Sequence, residues 1–387
     1  MSDNNIVLKG ITWNHSRGYC PLVATTQRFS EVLPNVNIEW SKRSLQKFAN
    51  QQIEDLAIKY DLLVIDHPWA GFAAASDVIM PLDSILPTSF LKDQAINSVG
   101  ESFNSYYFNG NHFAIPIDAA APVAASRPDL LLEKQLSLPT SFADLLDLAL
   151  TGVVTMPGIA IDTLMNFYMM CCAAGEDAFL SNQVVVSQKI GIRALEMLKE
   201  LADRLNPQFF DWNPINVYEA MTNTNDLAYC PWAYGYTNYA RSGYADNLLN
   251  FHNLIYDNEN KAMRSTLGGT GIAISTHCKN VDIALKYIQY VTSEKIQRTL
   301  FFDNGGQPSH REAWLDNHTN KQSCDFFKST IKTLESSFVR PRYNGYMHFQ
   351  DNAGGIIRQF LMQGGKASKV LSLLNELYLE SRKETLI

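Results

Sequence analysis

Residues 60–71 read YDLLVIDHPWAG, and this stretch decides the fold. The four apolar residues at 62–65 are typical of a short strand that is buried on both faces, as strands of a parallel sheet are. The sequence before it predicts a strand over 6–13, a helix starting near Pro21, a strand over 36–40 and a helix over 45–60. Strands that alternate with helices in this way indicate an α/β fold with a parallel sheet.

The rest of the chain predicts a mixture of both element types. Strands are expected over 113–117, 226–232 and 264–275, and helices over 141–150, 163–174, 186–205, 281–292, 294–302 and 353–380. We find no internal repeat and no Gly/Ser-rich linker. The sequence therefore favours two lobes that exchange strands over two domains joined end to end.

Length and charge limit the number of domains and the kinds of partner that this chain can have. The chain has 387 residues, enough for two or three domains or two interleaved lobes. It carries 32 Lys and Arg against 39 Asp and Glu, a net charge of −7, without a basic run. This balance argues against a nucleic-acid partner. No apolar stretch is long enough for membrane insertion.

The first residues, MSDNN, contain neither a basic segment nor an apolar one, so no signal peptide is visible. This predicts a cytoplasmic protein, or a periplasmic one if a signal peptide has been lost. The six cysteines form no CxxC pair and are expected to be reduced thiols. His310 and His318 lack a metal-ligand spacing. We predict no metal and no cofactor.

Polar side chains follow the first and third predicted strands. Ligands bind outside the carboxyl ends of parallel strands, where the strand order changes direction. If the order is 2-1-3, the two loops flank one crevice, and their candidate residues are Asn14, His15, Arg17, Asp66, His67 and Trp69. Each histidine could instead orient its loop by bonding to backbone. Asp66 and His67 are adjacent, so in an extended segment their side chains would diverge.

Further candidates lie later in the chain. Tyr234, Tyr236 and Asn238 form a dense aromatic and polar cluster, which favours a binding wall over a core strand. The glycine-rich run at 268–271 lacks the spacing of a phosphate loop and indicates a close backbone approach. Four more residues complete the set of single candidates: Asp118, as a hinge cap or ligand acceptor, then Thr270, Gln307 and His310.

The order of these motifs resembles the extracellular solute-binding proteins of ABC transporters, in particular the carbohydrate-type family 1 with a maltose-binding-protein-like fold. The likeness runs over nearly the whole chain. The segments that carry it are 11–18, 60–66, 78–83, 110–116, 268–275, 284–302, 304–309 and 345–365.

The resemblance implies an α/β, two-lobed periplasmic-binding-protein-like fold of type II, with parallel-rich sheets flanked by helices and a ligand cleft between the lobes. It implies an N-lobe of 1–117 plus 265–310, and a C-lobe of 118–264 plus 311–387 with a C-terminal helical cap. The contacts it implies are Asn14, His15, Asp66, His67, Asp118, the helix around Asn166, Tyr234 to Asn238, Gly269, Thr270 and Gln307.

The function implied is capture of a small polar ligand, carbohydrate-like or aromatic, by hinge closure. An ABC permease would be a partner if the protein is secreted. The same fold resembles that of some cytoplasmic lyases and cyclases. The alternative is therefore an enzyme of lyase, cyclase or isomerase type, in which His15 and His67 are catalytic and move protons. A ligand-sensing partner of another protein is a third hypothesis.

Overall fold

The computed structural model describes residues 5–50, 52–256 and 261–383. The chain divides into two compact units. Unit 1 takes the chain up to Ala120, together with Leu267–Lys321 and Arg342–Asn344. Unit 2 takes Ala121–Thr266, Gln322–Pro341 and the chain from Gly345 onward.

These boundaries differ from the expected ones. Residues 118–120 and 311–321, expected in the C-lobe, belong to unit 1, as do residues 342–344. The placement of residues 118–120 in unit 1 follows from strand pairing. The strand that contains Asp118 stays paired as far as Ala120, which lies opposite Gly268, so the sheet of unit 1 holds this segment.

The strands of the described chain are β1 (Ile6–Trp13), β2 (Val36–Arg43), β3 (Leu62–Ile65), β4 (Tyr107–Phe108), β5 (Asn111–His112), β6 (Ile115–Ala120), β7 (Pro122–Ser126), β8 (Tyr229–Tyr234), β9 (Asn250–His252) and β10 (Gly268–Ile274).

Its helices are α1 (Ser16–Val32), α2 (Leu45–Asn50), α3 (Ile53–Ala57), α4 (Ala70–Ser76), α5 (Thr88–Asn97), α6 (Pro128–Glu133), α7 (Phe142–Ala149), α8 (Ala160–Ala173), α9 (Gln188–Ala202), α10 (Pro214–Asn223), α11 (Val281–Val291), α12 (Glu294–Ile296), α13 (Arg311–Leu315), α14 (Asn317–Gln322), α15 (Phe326–Glu335), α16 (Tyr346–Gln363) and α17 (Ala367–Lys383). None of them combines the length and apolar character that crossing a bilayer requires.

The main sheet of unit 1 has the order β2-β1-β3-β10-β6. Strand β1 runs parallel to β2 and β3, so the order 2-1-3, which was the condition for the two loops to leave the same edge, is present. Strand β10 runs antiparallel to β3 and β6. Leu8, Leu62, Val64, Ile115 and Ile272 are fully buried in the core of this unit. Because β1 and β3 are parallel, the loops after them leave the same edge of the sheet.

Unit 2 has a smaller sheet of order β8-β7-β9, in which both pairings are antiparallel. The parallel-rich expectation therefore does not extend to this sheet. Helix α8 packs closely against α16, since a Cβ atom on Gly354 would lie 2.0 Å from the Ala160 carbonyl oxygen. The Thr163 hydroxyl donates to the Gly354 carbonyl at 3.3 Å across the same contact.

Several predicted elements have other bounds. Helix α1 begins at Ser16 rather than near Pro21, because His15 caps it. The predicted helix over 45–60 is two short helices, α2 and α3. The predicted helix over 294–302 is α12 followed by a π-helical turn over Gln297–Phe301. The predicted tail helix is divided between α16 and α17 at Gly364 and Gly365, which both have positive φ.

Candidate functional site

His15 is the cap of helix α1 in unit 1. Its Nδ1 accepts a hydrogen bond from the Arg17 backbone N–H at 3.0 Å, which satisfies a donor of the first helical turn. Burial, aided by the nearby charge of Arg17, lowers the pKa of His15 from 6.5 to about 4. The ring is therefore neutral at physiological pH. Asn14, just before it, is exposed and donates its backbone N–H to the Arg43 carbonyl.

Arg17 and Asp118 form a buried ion pair in unit 1. Nε of Arg17 lies 2.8 Å from Oδ2 of Asp118, and Nη2 lies 2.5 Å from Oδ1. Both residues are at most 4% exposed. Burial raises the pKa of Asp118, and the guanidinium of Arg17 opposes that rise. The pair ties the start of α1 to β6 and compensates both charges.

Asp66 and His67 lie at the end of β3. The sequence-based expectation that their side chains diverge is wrong. Residues 67–69 form a 3₁₀ turn, which brings Nδ1 of His67 to 3.3 Å from Oδ1 of Asp66. The same carboxylate oxygen accepts the His67 backbone N–H at 2.8 Å. His67 is 1% exposed and packs edge-on against Tyr106. Trp69 is also buried, against Phe72.

Gly269 and Thr270 lie opposite β6. Thr270 pairs with Asp118, and the register shifts directly after it. Its hydroxyl oxygen is buried and has no hydrogen-bond partner in the described part of the chain. Gly269 has φ +100°, and a Cβ there would lie 2.3 Å from the Asp118 carbonyl oxygen. The close backbone approach at Gly269 is between β10 and β6, two paired strands of one sheet, and a role at a hinge or against a ligand stays a prediction.

Gln307 and His310 have structural contacts within unit 1. The Gln307 side chain is fully buried and donates to the Ala119 carbonyl at 2.8 Å. His310 caps α13, where its Nδ1 accepts the Glu312 backbone N–H at 3.3 Å. Burial lowers the pKa of His310. These contacts tie the loop to β6 and to α13.

The tyrosine cluster of unit 2 is largely buried. Tyr236 is 5% exposed and packs edge-on against Tyr218, and Asn238 is 2% exposed in a 3₁₀ turn. Tyr234 is partly exposed, and its hydroxyl lies 3.3 Å from the Thr266 hydroxyl. A tyrosine ring can occupy a core position when its hydroxyl is hydrogen-bonded. The sequence pattern does not show whether that hydrogen bond is present.

Asn166 lies in the middle of α8 and is buried. Its side-chain amide donates to the Pro157 carbonyl at 3.2 Å, so it holds the loop that leads into this helix. Trp232, the last residue of the strand predicted over 226–232, is inside β8 and fully buried. Its indole N–H has no hydrogen-bond partner among the described residues.

Asp162 is a candidate that the sequence analysis missed. It is 5% exposed, and its Oδ2 has no partner in the part of the chain that the structure describes. Burial raises the pKa of Asp162 from 3.8 to about 8. One signal was available: Asp162 is the only charged residue in the mostly apolar stretch 159–175. It precedes Asn166 by one helical turn, so the two share a helix face.

Several candidate polar groups of unit 1 contact one another or are neutral, whereas the buried Arg43 guanidinium donates only to backbone carbonyls in the described chain. Arg17 is paired with Asp118, Asp66 lies beside His67, and His15 is neutral. Among the described residues, no three His, Cys, Asp or Glu side chains are grouped as a metal ion requires.

The chain matches the family model of the bacterial extracellular solute-binding proteins over residues 34–321. No curated protein matches it. Among solved structures it is similar to maltose-bound MalE3 of T. maritima, with a TM-score of 0.83 at 14% identity, covering 96% of this chain and 99% of that one.

A ribitol complex of an ABC transporter solute-binding protein from Agrobacterium radiobacter K84 has a TM-score of 0.82 at 17% identity, covering 98% of this chain and 99% of that one. An α-D-tagatose complex from Thermotoga lettingae TMO also has a TM-score of 0.82, at 15% identity, covering 97% and 99%. These structures share the two-lobed periplasmic-binding-protein-like fold predicted for the chain. The chain belongs to the bacterial extracellular solute-binding protein family.

Proposed function

We propose that this solute-binding protein takes a small, hydroxyl-rich solute, of the size and polarity of a sugar or a polyol. The observation that carries the proposal is the buried Arg17–Asp118 pair of unit 1. A site for a phosphate or carboxylate would need an uncompensated cation, whereas the Arg17 guanidinium is already paired with Asp118. Hydroxyl groups bond to neutral donors and acceptors without a charged partner, and the Thr270 hydroxyl beside Asp118 is one such group.

The related structures support the same class of solute. The proteins named above are described with maltose, ribitol and α-D-tagatose bound. All three compounds are neutral and rich in hydroxyl groups. Closure of the lobes on the solute stays a prediction.

The matching family is described as extracellular. This description favours a location outside the cytoplasm, whereas the sequence predicted a cytoplasmic protein. We propose that the protein delivers its solute to an ABC permease. Fractionation of the source cells tests this location: the proposal requires the protein outside the cytoplasmic fraction.

The enzyme alternative is not favoured. The His15 ring is engaged as a helix cap, and its pKa of about 4 lies below the range that suits acid–base chemistry at neutral pH.

A thermal-shift panel of sugars and polyols, including maltose, ribitol and D-tagatose, tests the solute class. A bound solute raises the melting temperature because it binds only the folded protein. For a solute that raises it, calorimetry of Thr270→Val should show about three- to tenfold weaker binding, the value of one lost neutral hydrogen bond.

Thr330→Val is the matched control, since its buried hydroxyl already donates to the Phe326 carbonyl at 2.8 Å. It should bind as the wild type does. Stabilisation by anions such as phosphate or citrate, and by no sugar or polyol, would contradict the proposal.

A further inference from the structure

The β4–β5 hairpin of unit 1 turns through Asn109 and Gly110. Both residues have positive φ, +47° and +89°, as the two central residues of a type I′ turn require. Both are exposed, and a Cβ atom on Gly110 would meet no other atom within 4 Å. In the described chain, neither the Asn109 side chain nor the Gly110 backbone N–H has a hydrogen-bond partner. The turn therefore exposes a side-chain amide next to an unhindered backbone nitrogen.

These two residues can react with each other. Once the Gly110 nitrogen has lost its proton to a base in the solvent, it can attack Cγ of Asn109, and the new N–Cγ bond closes a five-membered succinimide ring. Glycine favours the attack because it has no Cβ to obstruct it. The Cγ–Nδ2 bond then breaks, and Nδ2 takes up a proton and leaves as ammonia. Water opens the ring at either carbonyl, which gives aspartate or isoaspartate.

The sequence holds two further Asn–Gly pairs, and the structure restrains both of them. The Asn304 side-chain amide donates to the Leu300 carbonyl at 2.8 Å, and the Gly305 N–H donates to the Phe302 carbonyl at 2.9 Å. Both hydrogen bonds must break before that ring can close. The third pair, at 344–345, is partly buried and stands at the start of α16. The hairpin pair is thus the most accessible of the three.

The hairpin is also easy to open. Ring closure needs the backbone at Asn109 to leave its left-handed conformation. Strands β4 and β5 have two residues each and pair only with each other among the described strands. Short, exposed elements of this kind open locally at a small cost in free energy. The conformation that reacts is therefore within reach of the folded protein.

We propose that Asn109 is a modification site, which converts to aspartate and isoaspartate in the folded protein faster than Asn304 and Asn344 do. The reaction consumes one water molecule and releases one ammonia, and it needs no other reactant. The isoaspartate form routes the backbone through Cβ and Cγ of residue 109. Because a two-residue turn fixes the register of its hairpin, this extra backbone carbon should disrupt the pairing of β4 with β5.

The test measures the three sites in one sample. Purified protein is kept at mildly alkaline pH, below its unfolding temperature, and a second sample is kept in concentrated urea. Proteolytic peptides are then separated by chromatography, and mass spectrometry quantifies asparagine, aspartate and isoaspartate at each site. Two variants accompany the wild type. Asn109→Gln keeps the amide but would need a six-membered ring, and Asn304→Gln is the matched control.

In the folded protein, conversion at Asn304 should be at least about tenfold slower than at Asn109, the value of two neutral hydrogen bonds. In urea the three rates should converge, because the order is set by the structure. Residue 109 of Asn109→Gln should stay unmodified over the same time, and Asn304→Gln should leave the rate at Asn109 unchanged. An unmodified Asn109, a rate at Asn304 or Asn344 that equals it in the folded protein, or an unchanged order in urea would overturn the inference.

Discussion

The Arg17 guanidinium and the Asp118 carboxylate form a two-point, buried ion pair although 101 residues separate them in the chain. Nε and Nη2 lie 2.8 and 2.5 Å from the two carboxylate oxygens. The pair joins the first helical turn after β1 to β6, and thus fixes two candidate segments of unit 1 relative to each other. The charge of Arg17 is therefore compensated within unit 1.

Breaking that pair should destabilise the protein strongly. In Arg17→Met the Asp118 carboxylate stays buried without its partner, which costs about 3–5 kcal/mol of the free energy of unfolding. The double variant Arg17→Met/Asp118→Leu should recover part of that loss, because it leaves no buried charge. Urea unfolding measures both.

The exposed pair Arg28–Glu31 provides the control, and Arg28→Ala should leave the urea midpoint where it is. A wild-type midpoint for Arg17→Met would show that the ion pair does not hold the fold.

Gly269 should be intolerant of alanine. Its φ of +100° disfavours any side chain, and a Cβ would lie 2.3 Å from the Asp118 carbonyl oxygen. Gly269→Ala should therefore lose about 1–3 kcal/mol or more of stability in urea unfolding. Gly355→Ala is the control. It lies inside α16 with open space around its Cβ position, and alanine there should stabilise the helix by up to about 1 kcal/mol.

His15 should make the protein sensitive to acid. Its pKa is about 4 in the folded protein, against the ordinary value of 6.5 expected in the unfolded chain. The unfolded chain therefore binds the proton first as the pH falls. The contribution of the neutral His15 ring to the free energy of unfolding is therefore fully present above pH 6.5. It declines by about 3 kcal/mol as the pH falls towards 4. His15→Asn keeps a capping side chain and removes the titration.

Urea unfolding at pH 7, 5.5 and 4 compares the two proteins. The wild type should lose more stability than His15→Asn over this range. Equal losses would mean that the His15 ring is as easily protonated in the folded protein as in the unfolded chain.

Asp162 should have the opposite pH dependence. Its folded pKa of about 8 exceeds the reference value of 3.8, so its neutral form is favoured by folding. Without solute, the wild type should lose stability relative to Asp162→Asn as the pH rises from about 4 to 8. The variant should be more stable at pH 8, with the difference shrinking towards pH 4. A variant less stable than the wild type at pH 8 would mean that the carboxylate is satisfied within the protein.

Local patterns predicted much of the fold. The apolar run at 62–65 and the alternation around it identified β1 and β3, because buried parallel strands have a distinctive composition, whereas their order was only assumed. Helix starts were harder to place, since His15 is a cap only when its ring turns back onto the Arg17 N–H. The antiparallel sheet of unit 2 depends on pairings between distant segments, which no local pattern specifies.

The candidate site was predicted in part. The loops after β1 and β3 leave one sheet edge as expected. The role of Arg17 depends on Asp118, which is remote in sequence, and so only the structure reveals the pair. The burial of Tyr236 and Asn238 could not be predicted, because buried and exposed polar side chains have the same sequence signature, and their role as ligand contacts stays a prediction. Asp162 was missed because burial, not sequence spacing, makes it unusual.

The central claim is that the protein binds a small solute and releases it unchanged. The most direct measurement incubates purified protein with a whole bacterial metabolite extract and compares bound and free compounds by mass spectrometry against a protein-free control. The account predicts one hydroxyl-rich compound enriched on the protein, in a one-to-one ratio and with its mass unaltered. Consumption of a compound with the appearance of a new mass would contradict it and establish an enzyme.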